Sequence, residues 1–178
     1  MSDRVRVGTI WLDACSGCHM SFLDMDERIL DIAAEIEMVY GPLVDAKKIP
    51  DHVDVFLISG SVSTDEEIEK VRTIRDNSEI VVSFGDCAVT GNVPSMRNWR
   101  GADEALEHAY RETADDPDSP IPGEDIPTLL KRCRPVHEVI DVDEFIQGCP
   151  PDADLIHLVL GELLEGRTPR RGIRTKFG

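Results

Sequence analysis

Val5-Arg6-Val7-Gly8-Thr9-Ile10-Trp11-Leu12-Asp13-Ala14-Cys15-Ser16-Gly17-Cys18 is the stretch on which the fold turns. Val5 to Leu12 is β-branched and apolar, and predicts a buried first strand. A loop with two cysteines follows. Beyond it, Phe22, Leu23, Met25, Ile29, Leu30, Ile32 and Ala33 recur near helical spacing and predict a helix over 20–34. Strands are then expected at Ile36–Tyr40, Val53–Ser59 and Ile80–Phe84. Ser63 and Thr64 cap an intervening helix that ends near Asn77, with Glu66 and Glu67 as capping-box partners. A helix over 102–110 precedes a segment, 113–127, whose four prolines and several acids predict an irregular surface excursion. A last strand is expected within 136–146. Pro150-Pro151 then opens a helix over 152–165, because proline is tolerated in a first turn. The tail after Gly166 is basic and expected to be extended. Apolar strands alternating with helices belong to a parallel sheet covered on both faces.

The chain has 178 residues, enough for a single domain, 1–178, with a proper core. Its 19 basic and 35 acidic residues leave a net charge of −16. Such a surface repels phosphate backbones, which argues against nucleic-acid or anionic-membrane partners. No apolar run reaches the roughly 18 residues that span a membrane, and the first residues lack a signal peptide's apolar segment. The expected location is cytoplasmic. Cysteines there rarely form structural disulfides, so clustered thiols read as metal ligands or redox groups.

Cys15 and Cys18 are joined by Cys87, in Gly85-Asp86-Cys87, and Cys149, in Gly148-Cys149-Pro150-Pro151. The loops of Cys15, Ser59 and Cys87 each leave the carboxyl end of a predicted strand, and Cys149 lies between a strand and a helix. Ligands of open α/β sheets bind at that edge. Thiolates are soft donors and suit zinc or iron–sulfur clusters, not magnesium or calcium. Four of them hold a [4Fe–4S] or [2Fe–2S] cluster or a tetrahedral zinc. Zinc sites usually join two short-range pairs, whereas here there is one pair and two isolated cysteines. Cys149-Pro150 also matches the Cys-Pro seen at iron–sulfur ligands. Iron–sulfur therefore ranks first, zinc second, and thiol redox or inert core cysteines last. Helices starting near Gly17 and Pro150 are expected to aim free amides at the site. Cys133, in Lys131-Arg132-Cys133-Arg134, is assigned no role.

Three segments carry a family resemblance: Thr9 to Glu27 around Cys15-Ser16-Gly17-Cys18-His19-Met20-Ser21-Phe22-Leu23-Asp24, Ser83 to Asn98 around Gly85-Asp86-Cys87-Ala88-Val89-Thr90-Gly91-Asn92-Val93-Pro94, and Gly148-Cys149-Pro150-Pro151-Asp152-Ala153. Together, and in this order, they strongly resemble the small subunit of cytosolic NAD-reducing bidirectional [NiFe] hydrogenases. The resemblance implies a flavodoxin-like domain with one proximal [4Fe–4S] cluster on Cys15, Cys18, Cys87 and Cys149. It implies a large-subunit partner carrying the nickel–iron site, and iron–sulfur and FMN-containing diaphorase subunits that reduce NAD. On this reading the chain has no catalytic residue of its own. No cysteine follows Cys149, so electrons are expected to pass straight to a neighbouring iron–sulfur subunit. The related quinone-reductase subunit of respiratory complex I uses adjacent cysteines, unlike the spaced pair here. That contrast favours hydrogenase. The alternatives are a single-cluster subunit of a quinone-reductase-type oxidoreductase and a zinc-stabilised α/β binding module.

One position departs from the family. Ile58-Ser59-Gly60 stands where Val-Glu-Gly is common. Serine hydrogen-bonds but carries no charge at neutral pH, so proton exchange or cluster protection is expected to differ. Unchanged potential, oxygen response and turnover in Ser59→Glu would refute this. Trp11, Asp24, Asp26, Glu27, Met96 and Arg97 are candidates for the partner contact. His19 is a candidate for that contact or for a hydrogen bond to the cluster. Asp86 is expected to be solvated or capping. No Walker loop, dinucleotide fingerprint, zinc-protease motif or nucleophile elbow is present. The chain is thus not expected to bind NAD, and nothing in it signals a second flavin.

Overall fold

The structure is a computed structural model that describes residues 4–116, 118 and 120–167. Its strands are β1 (Val5–Trp11), β2 (Ile36–Tyr40), β3 (Val53–Ser59), β4 (Val62–Thr64), β5 (Ser78–Phe84), β6 (Leu129–Arg134) and β7 (Glu144–Ile146). Five of them form one sheet in the order β2-β1-β3-β5-β7. Every neighbouring pair in that sheet is parallel. The direction of strand addition reverses between β1 and β3, which is the topological switch point of a flavodoxin-like sheet.

Alternation along β3 builds the two layers, because successive side chains point to opposite faces. Val55 and Leu57 join a core with Val7, Val82, Phe84 and the helices α1 (Gly17–Leu23), α2 (Arg28–Glu35) and α6 (Ala153–Leu164). Phe56 and Ile58 join the opposite core with Val71 and Ile74 of α3 (Asp65–Asn77) and Ala88 of α4 (Asp86–Thr90). Helices thus cover both faces, as the apolar strands require. The expected strands at Ile36–Tyr40 and Val53–Ser59 stand with those bounds.

The helix expected over 20–34 is two helices. Asp24 closes α1, Asp26 takes a left-handed conformation (φ 52°), and Glu27 precedes α2. The break lets Met25 point into the core at 1% exposure. The three acids therefore form a turn between helices, not the first turn of one.

Helix α3 is capped by Thr64, not Ser63. The Thr64 hydroxyl accepts from the Glu67 amide at 3.2 Å, and the Glu67 carboxylate accepts from the Thr64 amide at 2.9 Å. The antiparallel pair of β4 and β6 is not apparent from the sequence. Strand β6 contains Lys131-Arg132-Cys133-Arg134, whose charge masks it. Cys133 is buried there, its thiol 2.9 Å from the Ser61 hydroxyl. The last strand is short, Glu144–Ile146, and Val136–Glu138 forms a 3₁₀ turn instead. Helix α5 (Ala102–Glu107) passes into a π-helical turn, His108–Glu112. Most of the basic tail lies outside the described residues. No described helix is long and apolar enough to cross a membrane.

Candidate metal centre

Three loops at the carboxyl edge of the sheet carry the four thiols, and hydrogen bonds tie the loops together. Beyond β1, the amides of Leu12 and Asp13 donate to the carbonyls of Ser59 and Ser61 at 2.8 and 3.2 Å. This closes the base of the Cys15–Cys18 loop against the end of β3. Ser16 then turns the chain at φ 67°, so that Cys18 enters α1 while Cys15 remains outside it.

The Cys87 and Cys149 loops clasp each other. The Gly85 amide donates to Ile146 O (2.7 Å) and the Asp86 amide to Gly148 O (2.9 Å). In return the Gly148 amide donates to Asp86 Oδ1 at 2.7 Å. Asp86 is therefore a half-buried strut between two loops. The Ser21 hydroxyl of α1 donates to Pro151 O at 2.5 Å, tying the Cys18 helix to the Cys149 loop.

Burial pushes the Cys18 thiol up to about 12, and Cys87, Cys15, Cys149 and Asp86, in that order, push the same way. Burial likewise pushes Cys87 up to about 11, with Cys149, Cys15, Asp13 and Asp86 adding to it. The four sulfurs thus lie within electrostatic reach of one another, and the inner two are neutral thiols unless positive charge is supplied among them. Among the described residues, no three of these sulfurs fall within 4.8 Å of one another.

Among the described residues, two of the four sulfurs receive N–H groups. The Gly17 amide donates to Cys15 Sγ at 3.4 Å, and the Asn92 side-chain amide donates to Cys149 Sγ at 3.2 Å. Sequence reasoning missed Asn92, since nothing in the pattern distinguishes it from a turn residue after Gly91.

The two ring nitrogens of His19 meet hydroxyl groups. Its Nε2 lies 2.6 Å from the Thr9 hydroxyl and its Nδ1 3.2 Å from the Ser59 hydroxyl. Ser59 donates onward to Ile10 O at 3.4 Å. The network closes with a neutral imidazole carrying its proton on Nδ1, accepting from Thr9 and donating to Ser59. Burial lowers the His19 pKa in the same sense. Trp11 and Phe84 meet the ring edge-on, at 5.3 and 6.0 Å. Ser59, fully buried, is thus the floor of a histidine pocket. Arg97 also turns inward, donating to Leu130 O and Ser63 O at 3.0 and 3.3 Å. Met96 beside it is 66% exposed.

The fold and the gathered thiols define a class: a flavodoxin-like α/β domain with four cysteines in the loops at the carboxyl edge of its sheet. The chain belongs to the NADH ubiquinone oxidoreductase 20 Kd subunit family, matched over residues 15–163, and within it to the small subunits of hydrogenases. It is 40% identical to the NAD-reducing hydrogenase HoxS subunit delta of Cupriavidus necator, over 92% of this chain and 80% of that one. It is also 40% identical to one subunit of the F420-non-reducing hydrogenase of Methanothermobacter marburgensis, covering 93% of this chain but 55% of that one. A crystal structure of NAD+-reducing [NiFe]-hydrogenase in the H2-reduced state superposes with a TM-score of 0.91 at 35% identity, covering 96% of this chain and 98% of that one.

Proposed function

We propose that this chain is the electron-transfer small subunit of an NAD-reducing [NiFe] hydrogenase. It relays electrons between the nickel–iron site of a large subunit and a diaphorase, through one proximal [4Fe–4S] cluster. Cys15, Cys18, Cys87 and Cys149 would hold that cluster, which supplies one-electron storage between its neighbours. The observation that carries the reading is the convergence of four thiols from three loops, close enough to act on each other's charge.

The protein's part is to fix and shield. Gly85 leaves room for the Cys18 sulfur, and Asp86 and Ser21 lock the three loops into one rigid rim. Asn92 and the Gly17 amide offset thiolate charge. Trp11, Met20, Val93 and Met96 stand exposed on the elements that leave this rim. They supply an apolar surface for a partner to cover, which would exclude water from the sulfurs. A covered, rigid site reorganises little on electron transfer.

Anaerobic purification of the tagged chain with whatever binds it tests the reading. About four irons and matching acid-labile sulfide on this chain, with a nickel-bearing partner, are expected. The separated subunit should neither evolve nor oxidise hydrogen. Zinc in place of iron, or a complex without nickel, would overturn the assignment.

A further inference from the structure

We propose that Asn92 sets the electron affinity of the four-cysteine centre, through its side-chain N–H on Cys149. The inference rests on the iron–sulfur reading above.

Asn92 belongs to the Cys87 loop, two residues past the end of α4, yet its amide crosses to the sulfur of the Cys149 loop at 3.2 Å. Its backbone is held independently of that contact. The Asn92 amide donates to the Thr90 hydroxyl at 3.4 Å, and Asn92 O accepts from the Ser95 hydroxyl (2.7 Å) and the Ser95 amide (3.2 Å). The residue sits at φ 33°, in the left-handed region. Asparagine enters that region more readily than most residues with a side chain. The site thus demands a residue that tolerates this backbone, and asparagine does so while presenting an N–H to sulfur.

The choice of donor atom follows from the acceptor. A ligating thiolate accepts and does not donate, so the amide nitrogen, not the oxygen, must face it. An N–H on a ligating sulfur stabilises the more negative, reduced state and raises the potential. Cys149 is the sulfur on which this matters most. Like Cys15 it is exposed, whereas Cys18 is half-buried and Cys87 buried. The other N–H on a sulfur, from Gly17 to Cys15, is a backbone contact that no side-chain replacement alters. Asn92 is therefore the adjustable element of the centre.

Asn92→Asp keeps the shape and the left-handed tolerance but replaces the N–H by a carboxylate oxygen. Asn92→Gly removes the side chain and keeps the backbone. Both are to be purified anaerobically as the whole complex, with iron and sulfide measured first and the midpoint of this cluster followed by electron paramagnetic resonance during a redox titration. Both variants are expected to retain their iron. At a fixed ambient potential the reduced-to-oxidised ratio should fall about tenfold in the aspartate variant, which is 59 mV for a one-electron couple. The glycine variant should shift the same way by less.

Midpoints within twofold of the parent in both variants would overturn the proposal. So would loss of iron from both with the fold intact, since Asn92 would then be a brace for assembly. Absence of iron and sulfide from the unaltered protein would instead refute the underlying reading of the centre, and the two failures are told apart by that first measurement.

Discussion

Gly85→Ala should give a folded protein that no longer holds its iron. A Cβ at this position would lie 2.1 Å from Cys18 Sγ, far inside any possible contact. The loop cannot retreat, because the Gly85 amide is bound to Ile146 O at 2.7 Å and the next amide to Gly148 O. The sulfur must move instead, away from the position it shares with the other three. Disturbing the surroundings of ligands typically costs 10–100-fold in metal affinity, and displacing a ligand itself should reach at least about that range. Iron and sulfide per chain, measured beside far-ultraviolet circular dichroism, read this out. Gly101→Ala is the control. Gly101 has nearly the same backbone conformation (φ 88° against 85°), but nothing lies within 4 Å of its added Cβ. It carries the same type of backbone strain, of order 1–3 kcal/mol, and should keep its iron. Equal iron loss in both variants would show that strain, not contact with sulfur, governs the site.

The second large effect is on stability. Phe56 is fully buried in the middle of β3, and Tyr40 packs on it at 5.9 Å between ring centroids. Gly8 on the neighbouring strand exists to make room for it: a Cβ there would lie 2.6 Å from two ring carbons. Phe56→Ala leaves a void facing Gly8 that neither side can fill. Such truncations cost about 3–5 kcal/mol, a large part of the 5–15 kcal/mol that holds a typical domain together. The urea midpoint should fall with the slope unchanged, since the same surface is exposed on unfolding. A loss below about 1 kcal/mol would mean that the core around Gly8 collapses freely. The substitution also loosens β1 and β3 at the switch point, so iron retention should drop as the urea midpoint is approached.

Much of the fold is legible along the chain because its signals are local. The apolar runs of β2 and β3 need only neighbouring residues to be recognised, and their observed bounds are those expected. The capping box at Thr64 spans four residues. The placing of Cys15, Cys18 and Cys87 at the carboxyl edge follows from strand-loop-helix order alone. Other elements were hidden for identifiable reasons. Nothing in Asp24-Met25-Asp26-Glu27 breaks a helix by propensity; the break arises because Met25 finds a buried site only if the chain turns there. Strand β6 reads as a basic loop until β4 pairs with it. Arg97 looked like a surface contact, but its guanidinium satisfies two carbonyls contributed by β4 and β6. At the start of α6 one amide, that of Asp154, is taken by the Asp152 carboxylate.

From the amino-acid order alone came the kind of sheet and the edge at which the cysteine loops lie. Both depend on residues a few positions apart, or on motifs short enough to be recognised whole. Tertiary structure alone decided the contacts around the four thiols: Asn92 on Cys149, Asp86 across to Gly148, Ser59 beneath His19, and the empty space at Gly85 that Cys18 fills. Each joins groups that are distant along the chain and meet only because the parallel strands bring their ends into register. No local propensity encodes such a meeting, since it exists only once the whole sheet has closed.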